Sequence, residues 1–306
     1  MRMIGKFFGN TKMLIRFSAK AQGISHIEKG IPCQDACNAQ LSSNKLVGIA
    51  CVADGHGSSR YFRSDKGSVL AIQVAEKALF DFCGLIAREK SAFFNRKETN
   101  NIIKTNNVKL KLKELEGNII YSWRKAVNDD LIQNPLNKTE IEICKNNNIL
   151  FDNSDTGNLI IIYGSTLLTG LVSDNFWFVL KIGDGNCVII NETGEALALP
   201  ELEDDRLAFG RTSSLCDNEA INNFREAYGF SCIEGLTVAT DGVTDSFESE
   251  KYLQFNKELY EKFTNLSVEF AQKELEKFLP ELSERGSRDD VSIAGIFRKH
   301  IGKESL

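Results

Sequence analysis

Apolar residues recur along this chain in two rhythms. From Leu46 to Ala53 they form an almost unbroken run, LVGIACVA, bounded by Asn44-Lys45 and by Asp54-Gly55, with the length and branching of a buried strand. From Lys66 to about Arg88 they return at helical spacing through Val69, Ala71, Ile72, Ala75, Leu79 and Phe82. A second helical stripe, roughly Val108 to Leu131, carries Leu112, Leu115, Ile119, Ile120, Trp123 and Val127, so two helices packed side by side are predicted. The Asn-rich stretch from Glu142 to Gly157 reads as an exposed loop. Four strand-like runs then crowd together: Leu159 to Tyr163, Leu167 to Val172, Phe176 to Ile182 and Asn186 to Ile190. Ser173-Asp174-Asn175 and Gly183-Asp184-Gly185 join the later ones as turns, which is the pattern of an antiparallel meander. Glu201 to Arg225 is irregular and polar, Leu236 to Ala239 is another buried strand, Lys257 to about Phe278 is helical, and Val291 to Phe297 closes the series as a strand. Strands and helices in blocks favour an α+β fold over a regular βαβ alternation.

Composition narrows the class. The chain has 306 residues, of which 42% are hydrophobic and 26% charged, with only 4 prolines, the balance of a folded globular protein large enough for a substantial core. No internal repeat and no linker-like stretch divides it, so one domain is expected. A net charge of -5 argues against non-specific nucleic-acid binding. The basic run Lys104 to Lys113 holds no aromatic residue and reads as a solvated face. The 8 cysteines form no CxxC pair and no zinc spacing, as expected of reduced, mostly buried thiols. The N-terminal segment lacks a signal-peptide core and no run approaches a membrane span, which makes the cytoplasm the default location. The first ~15 residues are expected to fray or dock loosely.

The candidate chemistry lies where apolar runs meet carboxylates. VGIACVA ends in Asp54-Gly55-His56-Gly57, and LTVAT ends in Asp241-Gly242. Asp289-Asp290 opens the strand at Val291, Asp184 sits between two glycines of a hairpin, and Asp35 lies in Pro32-Cys33-Gln34-Asp35-Ala36. Singly, each Asp-Gly is an ordinary turn signal and His56 an ordinary loop histidine. Together, carboxylates at the ends of several core strands repel one another and lose hydration unless cations neutralise them. Mg²⁺ and Mn²⁺ take all-oxygen ligands and keep several waters, so a few aspartates and a carbonyl exposed by a neighbouring glycine suffice. Two such ions ~3.5 to 4 Å apart can activate a water for attack on phosphorus.

In order, GISHIEKGIPCQDA, VADGHGSSRYFRSDKGS, YGSTLLTGLV, FWFVLKIGDGNCVII, VATDGVTDSF and SRDDVSIAGIF resemble the motifs of the metal-dependent serine/threonine protein phosphatases of type 2C, in their divergent bacterial branch. The resemblance runs from roughly Phe17 to Phe297. It implies an α+β sandwich of two antiparallel β-sheets flanked by helices on both outer faces, with metals in a cleft at one end. The boundaries expected are an N-terminal extension 1–16, one phosphatase domain 17–298 and a tail 299–306. By the same resemblance Asp54 bridges two Mn²⁺ or Mg²⁺ ions and Gly55 lends its carbonyl. Asp241 and Asp289 complete the first site, and Asp184 with Asp241 holds a third, weaker ion. Asp35 contacts metal-bound water, and His56 is the general acid. Gly164-Ser165-Thr166 is structural. The activity implied is attack of a metal-bridging hydroxide on phosphoserine or phosphothreonine of a phosphoprotein, counteracting a serine/threonine kinase, with no nucleic acid or membrane as partner.

The pattern is departed from in three places. Gln34 stands where the family usually has Glu, so that ligand position offers only an amide oxygen. The neighbourhood of the family's phosphate-gripping Arg holds Ile31, Pro32 and Cys33, which leaves the role vacant or passes it to His26, Lys29 or Arg60. The closing Asp-Asn is Asp289-Asp290. A pseudophosphatase, the same fold acting as a binding or scaffold module, is therefore the alternative function, with a small-molecule phosphohydrolase behind it. Cysteine-nucleophile chemistry is excluded because no cysteine is followed by Arg at the required sixth position, Cys83 and Arg88 being one residue too close, and there is no P-loop.

Overall fold

The computed structural model describes residues 12–88, 101–150, 157–203 and 212–300, with side chains apart from 85–88 and 101–107. Among these residues the strands are β1 (Lys12–Ala21), β2 (Ala36–Leu41), β3 (Val47–Ala53), β4 (Leu167–Ser173), β5 (Trp177–Ile182), β6 (Asn186–Ile190), β7 (Ala196–Ala198), β8 (Arg225–Gly229), β9 (Gly235–Ala239) and β10 (Val291–His300). The helices are α1 (Ile24–Lys29), α2 (Ser64–Arg88), α3 (Asn101–Gln133), α4 (Lys138–Asn146), α5 (Ala220–Asn223), α6 (Asp241–Thr244), α7 (Ser249–Asn265) and α8 (Val268–Arg285). One antiparallel sheet runs β1-β10-β9-β6-β7 and the other β2-β3-β4-β5-β8. The α+β sandwich expected from the sequence is therefore the fold.

Three apolar layers hold it together. Ala50, Val52, Val179, Leu236, Val238 and Ile296 meet between the sheets. Ile49, Cys51 and Ala53, the alternate residues of β3, face the other way, against Leu79, Leu112, Ile119 and Trp123 of α2 and α3. Ile293 and Phe297 of β10 meet Leu259, Phe263, Leu275 and Leu279 of α7 and α8 in the third layer. Central strands covered on both faces need apolar residues at every position, which is why β3 lacks polar alternation.

Several expectations are corrected. Leu159 to Tyr163 is not a strand but part of a 3-10 helix, Gly157–Tyr163, in which Leu159 and Ile162 are buried three residues apart against α2 and α3. The expected loop from Glu142 to Gly157 begins as α4, because Asn137 and Glu140 form a capping box that starts a helix there; residues 151–156 lie outside those described. The helix expected over Lys257 to Phe278 is two helices, since Ser267 caps a new start by accepting the Phe270 N–H. The meander breaks after β5. β6 pairs with β7 and β9 in the opposite sheet, so Gly183-Asp184-Gly185 is a crossover between sheets and not a hairpin turn. Val69 lies off the buried stripe of α2 and is 42% exposed.

The boundaries at 16 and 298 fall inside a strand pair. β1 and β10 match from Lys12↔His300 to Ala21↔Val291, so residues 12 to 16 and 299 to 300 belong to the sheet. The expectation for the extreme N-terminus otherwise lies outside the described residues. Lys109 and Lys113 of the basic run are exposed on α3, while Lys104 lies where side chains are not described.

Gly67 of α2 touches the chain that leads into Ser165: a Cβ there would lie 1.9 Å from the Tyr163 carbonyl oxygen. Helix propensity alone makes Gly→Ala favourable by ~1 kcal/mol. Here the close approach reverses the sign, and Gly67→Ala is expected to lower stability by about 1 to 3 kcal/mol in urea unfolding.

Candidate metal centre

The turn after β3 is fixed by its own backbone. The Asp54 N–H donates to Thr166 Oγ1 at 2.9 Å, and the Thr166 N–H returns a bond to the Asp54 carbonyl at 2.8 Å. Gly55 bridges Ser165, and its N–H donates to the Gln34 carbonyl at 3.2 Å. A Cβ on Gly55 would stand 2.6 Å from Ser64 O and 2.8 Å from Gln34 O, so only glycine lets the three segments close. The His56 N–H then donates to Gly164 O at 3.1 Å. The apolar strand therefore delivers one carboxylate to a packed mouth with its backbone fully used.

Two more carboxylates reach the same place from other elements. Asp241 is the first residue of α6, separated from the end of β9 by Thr240 alone. Asp184 comes from the crossover between sheets, where Gly183 takes φ of +114°. Asp54, Asp184 and Asp241 each offer an oxygen within 4.8 Å of the others. Asp35 lies beneath, 1% exposed, with Oδ2 accepting the Thr240 hydroxyl at 2.8 Å.

Crowding leaves its mark on proton affinity. Burial, then repulsion from Asp35 and Asp241, holds Asp54 well above the usual carboxylate range. Asp241 is pushed up to about 8 by burial and by Asp184, Asp35 and Asp289. Asp35 is pushed up to about 7 by burial and Asp290, against the lowering effect of the Thr240 hydroxyl. Asp245, one turn after Asp241, is raised by burial and Asp184. His56 moves the other way, lowered by burial although Asp184 and Asp217 oppose the shift; its ring lies 4.8 Å from that of Tyr61.

The remaining sequence candidates divide. Gln34 is buried at the rim, with Nε2 donating to Ser64 Oγ at 2.7 Å and Oε1 without a hydrogen-bond partner. Asp289 stands outside the group of three, its side chain 52% exposed, although Asp241 feels its charge. His26 is buried with Nδ1 3.0 Å from Asp290 Oδ2 and Nε2 3.7 Å from Asp289 Oδ1. Lys29 and Arg60 are exposed and form no hydrogen bond or ion pair with a described residue; Arg60 lines a separate pocket of about 260 Å³ with Asn148, Asn158 and Cys216.

Sequence reasoning assigned no role of their own to three residues. Asp290 accepts the Gly23 and Gln34 N–H groups, both at 2.6 Å, and so ties two loops to the start of β10. Thr240 holds Asp35, and Thr212 donates to Asp184 Oδ2 at 2.6 Å. The Asp-Asp doublet was a visible signal for the first; the two threonines act across 205 and 28 residues and leave no local pattern.

The fold is a sandwich of two antiparallel sheets between helices, and the site is a cluster of carboxylate oxygens of the kind a hard cation takes. The chain belongs to the Protein phosphatase 2C family, whose model matches residues 22–280. Among solved structures it is similar to the serine/threonine phosphatase PstP/Ppp of Mycobacterium tuberculosis at 15% identity and a TM-score of 0.52, covering 94% of this chain and 100% of that one. The PstP catalytic domain in complex with two manganese ions matches at 14% identity and 0.52, over 94% and 100%. PppA of Pseudomonas aeruginosa, described as a key regulatory component of T6SS, matches at 12% identity and 0.50, over 94% and 100%. At these identities the likeness is one of fold. No curated protein matches the chain. No described helix is long and apolar enough to cross a membrane.

The raised carboxylates carry a sign. Unfolded aspartates titrate near ~4, whereas Asp35 and Asp241 titrate at about 7 and about 8 in the fold. The metal-free folded state binds protons more tightly, so their contribution is complete below the unfolded value and is lost as pH rises through 7 and 8. Melting in EDTA is expected to occur at a lower temperature at about pH 8.5 than at about pH 5, and Asp241→Asn should flatten that fall.

Proposed function

We propose that this chain is a metal-dependent protein phosphatase that hydrolyses phosphoserine and phosphothreonine. The observation that carries the reading is the half-buried group of Asp54, Asp184 and Asp241, whose oxygens lie within 4.8 Å of one another. Such a group suits a hard divalent cation. The donors are all oxygen, burial raises the proton affinity of Asp54 and Asp241, and Asp35 Oδ1, Asp184 Oδ1 and Gln34 Oε1 are buried without hydrogen-bond partners. Asp54, Asp241 and Asp184 would hold Mn²⁺ or Mg²⁺, two ions with a third at the Asp184 arm, joined by the Gly55 carbonyl, Gln34 and the outlying Asp289. When bound, the ions supply Lewis acidity and positive charge against the phosphoryl oxygens.

The chain's own groups do the rest. The Thr240 hydroxyl keeps Asp35 oriented, leaving Oδ1 free to accept a proton from the attacking water. His56, half-enclosed beside Tyr61, donates the proton that the departing serine or threonine oxygen needs. Substrates are phosphoproteins, and a serine/threonine kinase supplies them. All 8 cysteines are free thiols, which suits a reducing compartment and supports a cytoplasmic setting.

A second reading rests on Gln34 and the phosphate grip. His26 lies beside Asp289 and Asp290, and Lys29 and Arg60 are exposed and form no ion pair with a described carboxylate. A phosphatase fold with a weakened ligand and no cationic clamp can serve as a binding module. Hydrolysis of a phosphothreonine peptide with EDTA, Mg²⁺ or Mn²⁺ separates the two. The enzyme reading expects metal-dependent turnover that Asp54→Asn or Asp241→Asn lowers by about 10²-fold or more, the scale of losing a preorganised charge-stabilising group. No turnover with either metal in folded protein selects the pseudophosphatase, and unchanged turnover in Asp54→Asn sinks the site assignment.

A further inference from the structure

We propose that Thr212 is a positioning residue for Asp184 and sets how tightly the arm formed by Asp184 and Asp241 holds a divalent cation, an inference that rests on the metal-dependent reading above. Asp184 is carried on a short crossover between glycines, and an aspartate in such a place can turn about both side-chain bonds. Among the described residues, Thr212 alone hydrogen-bonds its carboxylate: Oγ1 donates to Oδ2 at 2.6 Å. Oδ1 is buried and has no hydrogen-bond partner, so it is the oxygen left for a cation.

Thr212 is itself held in place. Three residues on, the Leu215 N–H donates to the Ser165 carbonyl at 2.9 Å, while the Ser165 N–H donates to Ser214 Oγ at 3.0 Å. Ser165 is the residue that bridges Gly55. The Ser214 N–H closes on Asp217 Oδ2 at 2.9 Å, and Arg124 of α3 donates to the Asp217 carbonyl at 2.6 Å. The segment bearing Thr212 is thus registered to the same turn that delivers Asp54. The hydroxyl fixes the rotation of the Asp184 carboxylate from a support shared with its neighbour. Valine keeps the shape of threonine and removes the donor, leaving Oδ2 unsatisfied and the carboxylate free to turn.

The test is isothermal titration calorimetry of the full chain with MnCl₂, which needs no substrate. Thr212→Val is expected to weaken the weakest resolved Mn²⁺ binding event by about 10-fold, with Thr212→Ser within about twofold of wild type. In an Asp184→Asn background Thr212→Val should add nothing, because the group it positions is already altered. If the valine variant does not fold, Thr212→Ala carries the same expectation. Wild-type affinity in the valine variant, a serine variant as weak as valine, an equal loss in the Asp184→Asn background, or no Mn²⁺ binding by wild type each overturns the inference. Normal Mn²⁺ binding without hydrolysis of a phosphothreonine peptide removes the phosphatase reading and leaves the role of Thr212 standing.

Discussion

The constraint on which this molecule turns is the crowding of carboxylates that the fold forces together at a half-buried mouth. Asp54 arrives from one sheet, Asp241 from the other, Asp184 from the crossover between them and Asp35 from the edge of β2. No single element could assemble them. Their meeting depends on both sheets keeping register, which the interior between the sheets and the two helical layers enforce. Apolar burial far from the site therefore offsets an unfavourable electrostatic arrangement at one end, where desolvation first and like charge second raise the proton affinities of Asp54 and Asp241.

Two adjacent aspartates show how finely the mouth is divided between chemistry and support. Asp289 is half-exposed and faces Asp241 electrostatically, whereas Asp290 is 3% exposed and accepts the Gly23 and Gln34 N–H groups, with His26 Nδ1 3.0 Å from its Oδ2. A buried carboxylate that accepts two backbone N–H groups and lies beside an imidazole is fully committed. It sets the loop that carries Gln34 and Asp35 against the start of β10. Gly242 completes the packing, since a Cβ there would lie 1.9 Å from the Asp290 carbonyl oxygen. His26 is drawn into this support, which separates it from the substrate role considered for it on sequence grounds.

What could be read from the sequence followed from burial. β3, β4, β5, β6, β9 and β10 are covered on both faces or nearly so, and they stand out as apolar runs. β1 and β2 mix buried and half-exposed positions at sheet edges, so their pattern fades into the polar background. The Leu159 to Tyr163 run misled because a short buried apolar stretch has no period long enough to separate strand from helix. In the site, Asp54, Asp184 and Asp241 were legible because each is punctuated by glycine at the end of a strand. The hydroxyls of Thr212 and Thr240 were not, because a side chain that orients another across the fold needs no spacing in the chain.

Gln34 follows from the same electrostatics. Its backbone is used three times: the N–H on Asp290, and the carbonyl accepting from Gly55 and, at 2.5 Å, from the Ser68 hydroxyl. Its amide donates to Ser64, so the side chain is locked toward the mouth with only Oε1 uncommitted. A carboxylate at this position would add another negative charge next to Asp35, already pushed up to about 7. An amide avoids that repulsion and would offer a cation less attraction than a glutamate. Were a cation held here, stability without it and affinity for it would be opposite readings of one charge count, and an amide at position 34 lies nearer the first.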